Sequence, residues 1–161
     1  MTQVKKIATE GLKSEAALTQ YAAICYRYTD KGNLRLLLVT SRDTGRWVLP
    51  KGWPMKDRNG GECALTEAYE EAGVFGRLID HCVGVYSYRK ILAPGVDAPC
   101  VVTTYPVAVL GLRDDFPERD QRRRKWFAPE KAAEAVDEPE LRALLRGFDP
   151  AAFGEAPLPG V

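Results

Sequence analysis

Three glutamates, Glu67, Glu70 and Glu71, stand at i, i+3 and i+4 within Glu62–Ala72, a stretch free of Gly and Pro and built largely from good helix formers. On a helix this spacing places the three carboxylates on adjoining parts of one face. Like charges so arranged repel, unless a cation neutralises them. Magnesium suits that role, because it takes oxygen ligands and commonly bridges carboxylates to substrate phosphates. The spacing therefore allows a carboxylate site for a divalent cation, set against a plain solvated acidic helix face. The three acids alone do not separate the two readings.

The surrounding residues do. Gly52 to Val74 reads G-W-P-M-K-D-R-N-G-G-E-C-A-L-T-E-A-Y-E-E-A-G-V. It resembles the signature box of the Nudix hydrolases, G-x5-E-x7-R-E-U-x-E-E-x-G-U, where U is a bulky apolar residue. Gly52, Glu67, Glu70, Glu71, Gly73 and Val74 fall at box positions, and Ala68 fills the first U with a smaller side chain. Arg58 stands where the pattern has its first Glu, and Thr66 where it has Arg. The resemblance implies an α/β protein, an α/β/α sandwich with a central mixed sheet, that hydrolyses a diphosphate bond. It implies Mg2+ or Mn2+ held by Glu67, Glu70, Glu71 and the Gly52 carbonyl, polarising the diphosphate and activating a water. One glutamate would take the proton, Glu71 first and Glu70 next. The family Arg pairs with box carboxylates, so Thr66 either weakens the activity or leaves the orienting cation to another residue.

Two further segments, Trp47-Val-Leu-Pro-Lys-Gly-Trp-Pro-Met and Gln121-Arg-Arg-Arg-Lys-Trp-Phe, resemble the diphosphoinositol-polyphosphate phosphohydrolase branch, whose members also cleave diadenosine polyphosphates. The implied partner is a phosphorylated small molecule. ADP-ribose or nucleoside-triphosphate hydrolysis, and a non-catalytic sensor of a phosphorylated ligand, stand as alternatives. A crowded polyanion needs several cationic partners, and Arg binds phosphate bidentately. The candidates are Arg27, Arg42, Arg46, Lys51, Arg89, Arg122 and Arg124, with Lys90, Arg123 and Lys125 beside them. Read as a strand, Arg122–Phe127 would let Arg122 and Arg124, or Arg123 and Lys125, share one face; the same run would also serve as a charged edge that blocks aggregation. Asp114, Asp115 and Glu118 are three equivalent sources of a further acid. Tyr86, Tyr88, Tyr105 and Trp126 read as core rather than base-stacking residues, and His81 has no visible partner.

These groups need a scaffold. Tyr21–Tyr28 and Leu34–Thr40 predict a hairpin, with Asp30 and Gly32 in its turn. Trp47–Leu49 is a short extended piece, and Lys51–Gly61 reads as loop, with Gly60-Gly61 as slack before the helix. Residues 74–91 and 100–112 are β-rich, with 93–99 a loop between them. Helices are expected from Pro129 to about Val136 and over Glu138–Arg146. Residues 18–148 form the expected domain, between a polar lead-in (1–17) and a frayed tail (149–161).

The 161 residues suit one domain large enough to fold without disulfides. Cys25, Cys63, Cys82 and Cys100 form no CxxC pair and read as buried thiols. No stretch approaches the roughly 20 apolar residues of a membrane span, so the expectation is a cytoplasmic protein with no membrane partner, monomer or homodimer. A net charge of +1 argues against a general nucleic-acid coat. That mean still leaves a small polyanion site open, because the acidic box lies between two net basic segments.

Overall fold

A computed structural model describes residues 16–154. At its centre, β1 (Leu18–Tyr28) is apolar on both faces, as a strand covered on two sides must be. Ala23 and Cys25 join Leu37 and Val39 in one core layer, while Ala22, Ile24 and Tyr26 join Leu36 and Leu38 in the other. β2 (Leu34–Thr40) pairs antiparallel with β1 through the expected hairpin. β7 (Val96–Leu112) lies parallel on the other side, with Leu18 opposite Cys100 and Tyr26 opposite Ala108. β3 (Trp47–Val48) and β8 (Arg124–Phe127) pair with β2; β5 (Val74–Leu78) and β6 (Gly84–Ala93) pair with β7; β4 (Lys51–Gly52) pairs with β1. The result is an eight-stranded mixed sheet.

Helix α1 (Gly60–Ala72) covers one face of the sheet. Its inner stripe is Ala64, Ala68 and Ala72, small side chains that let the helix lie close to Ala23, Cys25 and Val107. Helices α2 (Pro129–Ala135) and α3 (Pro139–Arg146) cover the other, through Ala132, Ala133, Leu141 and Leu145. Each fully buried leucine there contributes about 1.5–3 kcal/mol. The fold is the expected α/β/α sandwich. No helix among the described residues is long and apolar enough to cross a membrane.

Several local expectations need correction. Lys51 and Gly52 are strand rather than loop, bonded to Ala22 and Tyr21. Gly60 and Gly61 are the first residues of α1 rather than slack. The start is set by Asn59, whose side chain accepts the Glu62 N–H at 2.8 Å while Glu62 Oε1 accepts the Asn59 N–H at 3.0 Å, a reciprocal cap. Residues 93–99 are mostly strand, turning at Gly95. Pro99 is tolerated because the register with β1 begins one residue later, at Cys100, so no bond to β1 needs its missing N–H. Residues 74–91 hold two strands, β5 and β6. Cys25, Cys63 and Cys100 are buried as expected, but Cys82 is exposed. Within the expected frayed tail, Pro150–Phe153 form a 3₁₀ turn, and the Phe153 ring packs 5.9 Å from Phe148. The lead-in, except Ala16 and Ala17, and the tail beyond Gly154 lie outside the described residues.

Candidate active site

The core stripe of α1 fixes its acidic one. Glu67 and Glu71 precede Ala68 and Ala72 by one residue, which rotates their side chains from the core to its margin. There they are 8% and 5% exposed, while Glu70, one step further round, is half-buried. Gly73 ends the helix in the left-handed conformation, φ 68°. β4 runs past the carboxylates so closely that any side chain at Gly52 would collide with that of Glu67.

The cleft above these acids, about 370 Å³, is lined by all three glutamates, Gly52, Lys51, Arg42 and Arg122, and also by Gln20, Lys90 and Glu118. Burial pushes the Glu67 carboxyl up to about 8, helped by its hydrogen bond to Glu71 and the charges of Glu71, Glu70 and Glu118. Glu71 is also raised by burial, against the pull of Arg122 and of the hydrogen bond from Glu67. Glu67 therefore keeps a proton and donates it to Glu71. Burial holds the Lys51 ammonium down at about 8, with Glu71 opposing and Lys90 adding to the shift.

Cations reach the cleft from two sides. Arg122 donates to Glu118 Oε1 at 2.9 Å and the Thr40 carbonyl at 3.0 Å, and lies 3.5 Å from Glu71 Oε2. Arg42 bonds Gln121 at 3.1 Å and lies 3.6 Å from Glu118. Opposite them stand Lys51 and Lys90, which have no ion pair among the described residues. Lys51 Nζ sits 5.4 Å from the Tyr88 ring centre, and Tyr88 donates to the buried Gln20 at 2.6 Å.

The structure thus gathers Glu67, Glu70, Glu71, Gly52, Arg42, Lys51 and Arg122, and leaves four expected cations elsewhere. Arg27 lies on the Trp126 ring at 4.1 Å. Arg46 pairs with Glu138 at 2.7 Å, and Arg89 pairs with Asp97 across the β6–β7 hairpin at 2.9 Å. Arg124 caps α1, donating to the carbonyls of Ala72 and Arg113 at 2.7 Å each. The strand alternation expected to unite Arg122 with Arg124 does not apply, because β8 begins at Arg124 and Arg122 precedes it. On β6, alternation turns Lys90 into the cleft and Arg89 away from it. Of the three further acids, Glu118 lines the cleft; its i,i+4 spacing to Arg122 was the available signal. Gln20 carried no signal beyond being a polar residue in an apolar strand. His81 is exposed and lines a separate hollow beside α3.

The two box departures touch each other. Arg58 donates to the Thr66 hydroxyl at 2.6 Å, and that hydroxyl donates to the Glu62 carbonyl at 2.9 Å. Neither residue lines the cleft.

The donor chemistry fits a hard divalent cation: all oxygen, and so buried and clustered that Glu67 holds its proton to about pH 8. Among the described residues, no three such side chains are drawn together tightly enough to hold an ion as placed. Glu67 and Glu71 already meet, with the Gly52 backbone against them.

A family profile, NUDIX domain, matches residues 18–148. Nudix hydrolase 16, mitochondrial, of Arabidopsis thaliana is 32% identical over 119 residues, which are 71% of this chain and 66% of that protein. Diphosphoinositol polyphosphate phosphohydrolase 3-alpha of Homo sapiens is 29% identical over 136 residues, 83% of this chain and 75% of that one. The crystal structure of a C. elegans Ap4A hydrolase shares the fold, with a TM-score of 0.60 at 23% identity, over 86% of this chain and 98% of that one.

Proposed function

The chain belongs to the NUDIX family of pyrophosphohydrolases, and from that premise we propose that it hydrolyses a diphosphate bond in a small molecule bearing several phosphates. Diphosphoinositol polyphosphate or diadenosine polyphosphate is the substrate class, and Mg2+ or Mn2+ the cofactor. The observation that carries this reading is the buried Glu67–Glu71 pair beneath a cleft edged by Arg42, Lys51, Lys90 and Arg122. The names of the human relative and of the worm structure agree with it. We place the reaction in the cytoplasm, in keeping with four unbridged cysteines.

Glu67, Glu70, Glu71 and the Gly52 carbonyl would hold the metal, which when bound supplies charge neutralisation for the diphosphate and a more acidic water. Glu71, or Glu70 after it, accepts the proton of the attacking water. Arg42, Lys51 and Lys90 bind the phosphate oxygens and fix the diphosphate against the carboxylates, since this chemistry depends on positioning and charge stabilisation. Lys51 adds a buried charge where water screens least.

The test is phosphate release in Mg2+ from inositol pyrophosphates, dinucleoside polyphosphates, ADP-ribose and nucleoside triphosphates. Turnover is expected to be fastest on one of the first two. Faster turnover of ADP-ribose or a nucleoside triphosphate would replace the substrate class, and binding without turnover would make the protein a sensor.

A further inference from the structure

We infer that Arg122 is a positioning residue that orients the Glu71 carboxylate, the role that Thr66 leaves vacant in the box. The inference rests on reading Glu71 as the proton acceptor. Thr66 cannot act on the carboxylates: its hydroxyl is engaged by Arg58 and by the Glu62 carbonyl, and its side chain lies outside the cleft. Arg122 reaches the same acids from a distant part of the chain. Its Nη2 lies 3.5 Å from Glu71 Oε2, while the Lys51 N–H lies 3.4 Å from Glu71 Oε1, so the carboxylate is gripped from both ends.

The guanidinium is itself fixed. Its Nε bonds Glu118 and its Nη1 the Thr40 carbonyl, and the side chain is only 9% exposed. A planar fork hydrogen-bonded to two acceptors and ion-paired with a third group has one orientation, which a flexible ammonium does not reproduce. The segment carrying it is tied along α1 and β2. The Glu118 N–H bonds the Glu70 carbonyl at 2.9 Å, Arg123 and Thr40 exchange bonds at 2.9 and 3.0 Å, and Arg124 bonds the Ala72 carbonyl. With Nε and Nη1 hydrogen-bonded and Nη2 beside Glu71, the guanidinium is committed mainly to protein groups. Arg42, with a side chain 57% exposed, is the freer of the two.

The experiment combines steady-state kinetics in saturating Mg2+ with crystal structures of the metal-free protein, for wild type, Arg122→Gln and Arg122→Lys. Arg122→Gln is expected to lower kcat about 10–100-fold with KM within about threefold, and to leave the Glu71 carboxylate without its single position. Arg122→Lys keeps the charge but not the fork, and its kcat is expected to stay at least about fivefold below wild type. An unchanged kcat, a KM raised tenfold with kcat kept, or Glu71 fixed in place in Arg122→Gln overturns the inference. Where kcat and KM move together, the Glu71 position decides, and if Arg122→Gln does not fold, Arg122→Lys carries the same two readouts. If wild type turns over none of the substrates, the hydrolase reading fails, while the crystals still decide whether Arg122 orients Glu71.

Discussion

On the α1 side of the cleft, Arg42 and Arg122 both reach Glu118, and Arg122 reaches Glu71 as well. On the sheet side, Lys51 and Lys90 face the same space with no ion pair among the described residues. A guanidinium held by carboxylates is spent on holding them in place. An unpaired, largely buried ammonium is a charge still to be satisfied, and burial has already drawn the Lys51 ammonium down to about 8. On the proposed reading, residues of one charge do different work: the buried Arg122 arranges the acids, while Lys51 and Lys90, with the exposed Arg42 at the rim, receive phosphate.

The largest effect that would sharpen this division comes from the lysine wall. Replacing Lys51 and Lys90 together by Met, which keeps most of each stem, is expected to lower kcat/KM about 100-fold, almost all of it in KM. Each single change should give about 10-fold. A loss carried by kcat instead would break the division of labour.

A smaller, pH-dependent effect follows from the same residue. Lys51 loses its charge as pH rises through about 8, so substrate KM should climb severalfold between about pH 7 and 9.5 in wild type. It should stay flat over that range in Lys51→Arg, whose guanidinium keeps its charge. Equal profiles for the two proteins would remove Lys51 from substrate binding.

The acidic side predicts a change in stability rather than in binding. Without metal, Glu67 titrates at about 8 when folded, against an ordinary 4.5. The folded state thus holds this proton more tightly than the unfolded chain, and stability falls as pH rises from about 4.5 to 8. The midpoint of thermal unfolding in chelator should drop by at least about 3 °C over that window. Glu67→Gln should flatten the slope, and Mg2+ should raise the midpoint more at pH 8 than at pH 5. A slope unchanged in Glu67→Gln would mean that the pair does not carry the strain.

The smallest effect belongs to the outer clasp. Arg58→Ala removes one exposed charge-assisted hydrogen bond to Thr66 and should cost about 1 kcal/mol or less, with kcat within about twofold of wild type. A larger loss of activity would bring the clasp into the site.

How far the sequence reaches depends on how far apart in the chain the interacting groups lie. The α1 acids and their burial follow from local spacing, because Ala64, Ala68 and Ala72 set the helix face and the glutamates stand one position away. The hairpin of β1 and β2 and the two covering helices were legible for the same reason. The division of the cations was not. Arg46 is taken by Glu138 and Arg124 by the Ala72 carbonyl, contacts across long stretches of chain that no local pattern encodes. Alternation on β6 does separate Lys90 from Arg89, once it is known which face of that strand lines the cleft. The helix start at Gly60 was readable from Asn59 and Glu62, a reciprocal cap that the two glycines obscured.

On the proposed reading, the Glu67–Glu70–Glu71 face performs metal-dependent hydrolysis. Phosphate release from an inositol pyrophosphate or a dinucleoside polyphosphate, measured for wild type and Glu71→Gln in Mg2+ and in chelator, tests it most directly. The expected result is turnover by wild type in Mg2+ alone, with Glu71→Gln folded and at least about 100-fold slower. Undiminished release in chelator, or near-normal turnover by Glu71→Gln at saturating metal, contradicts it.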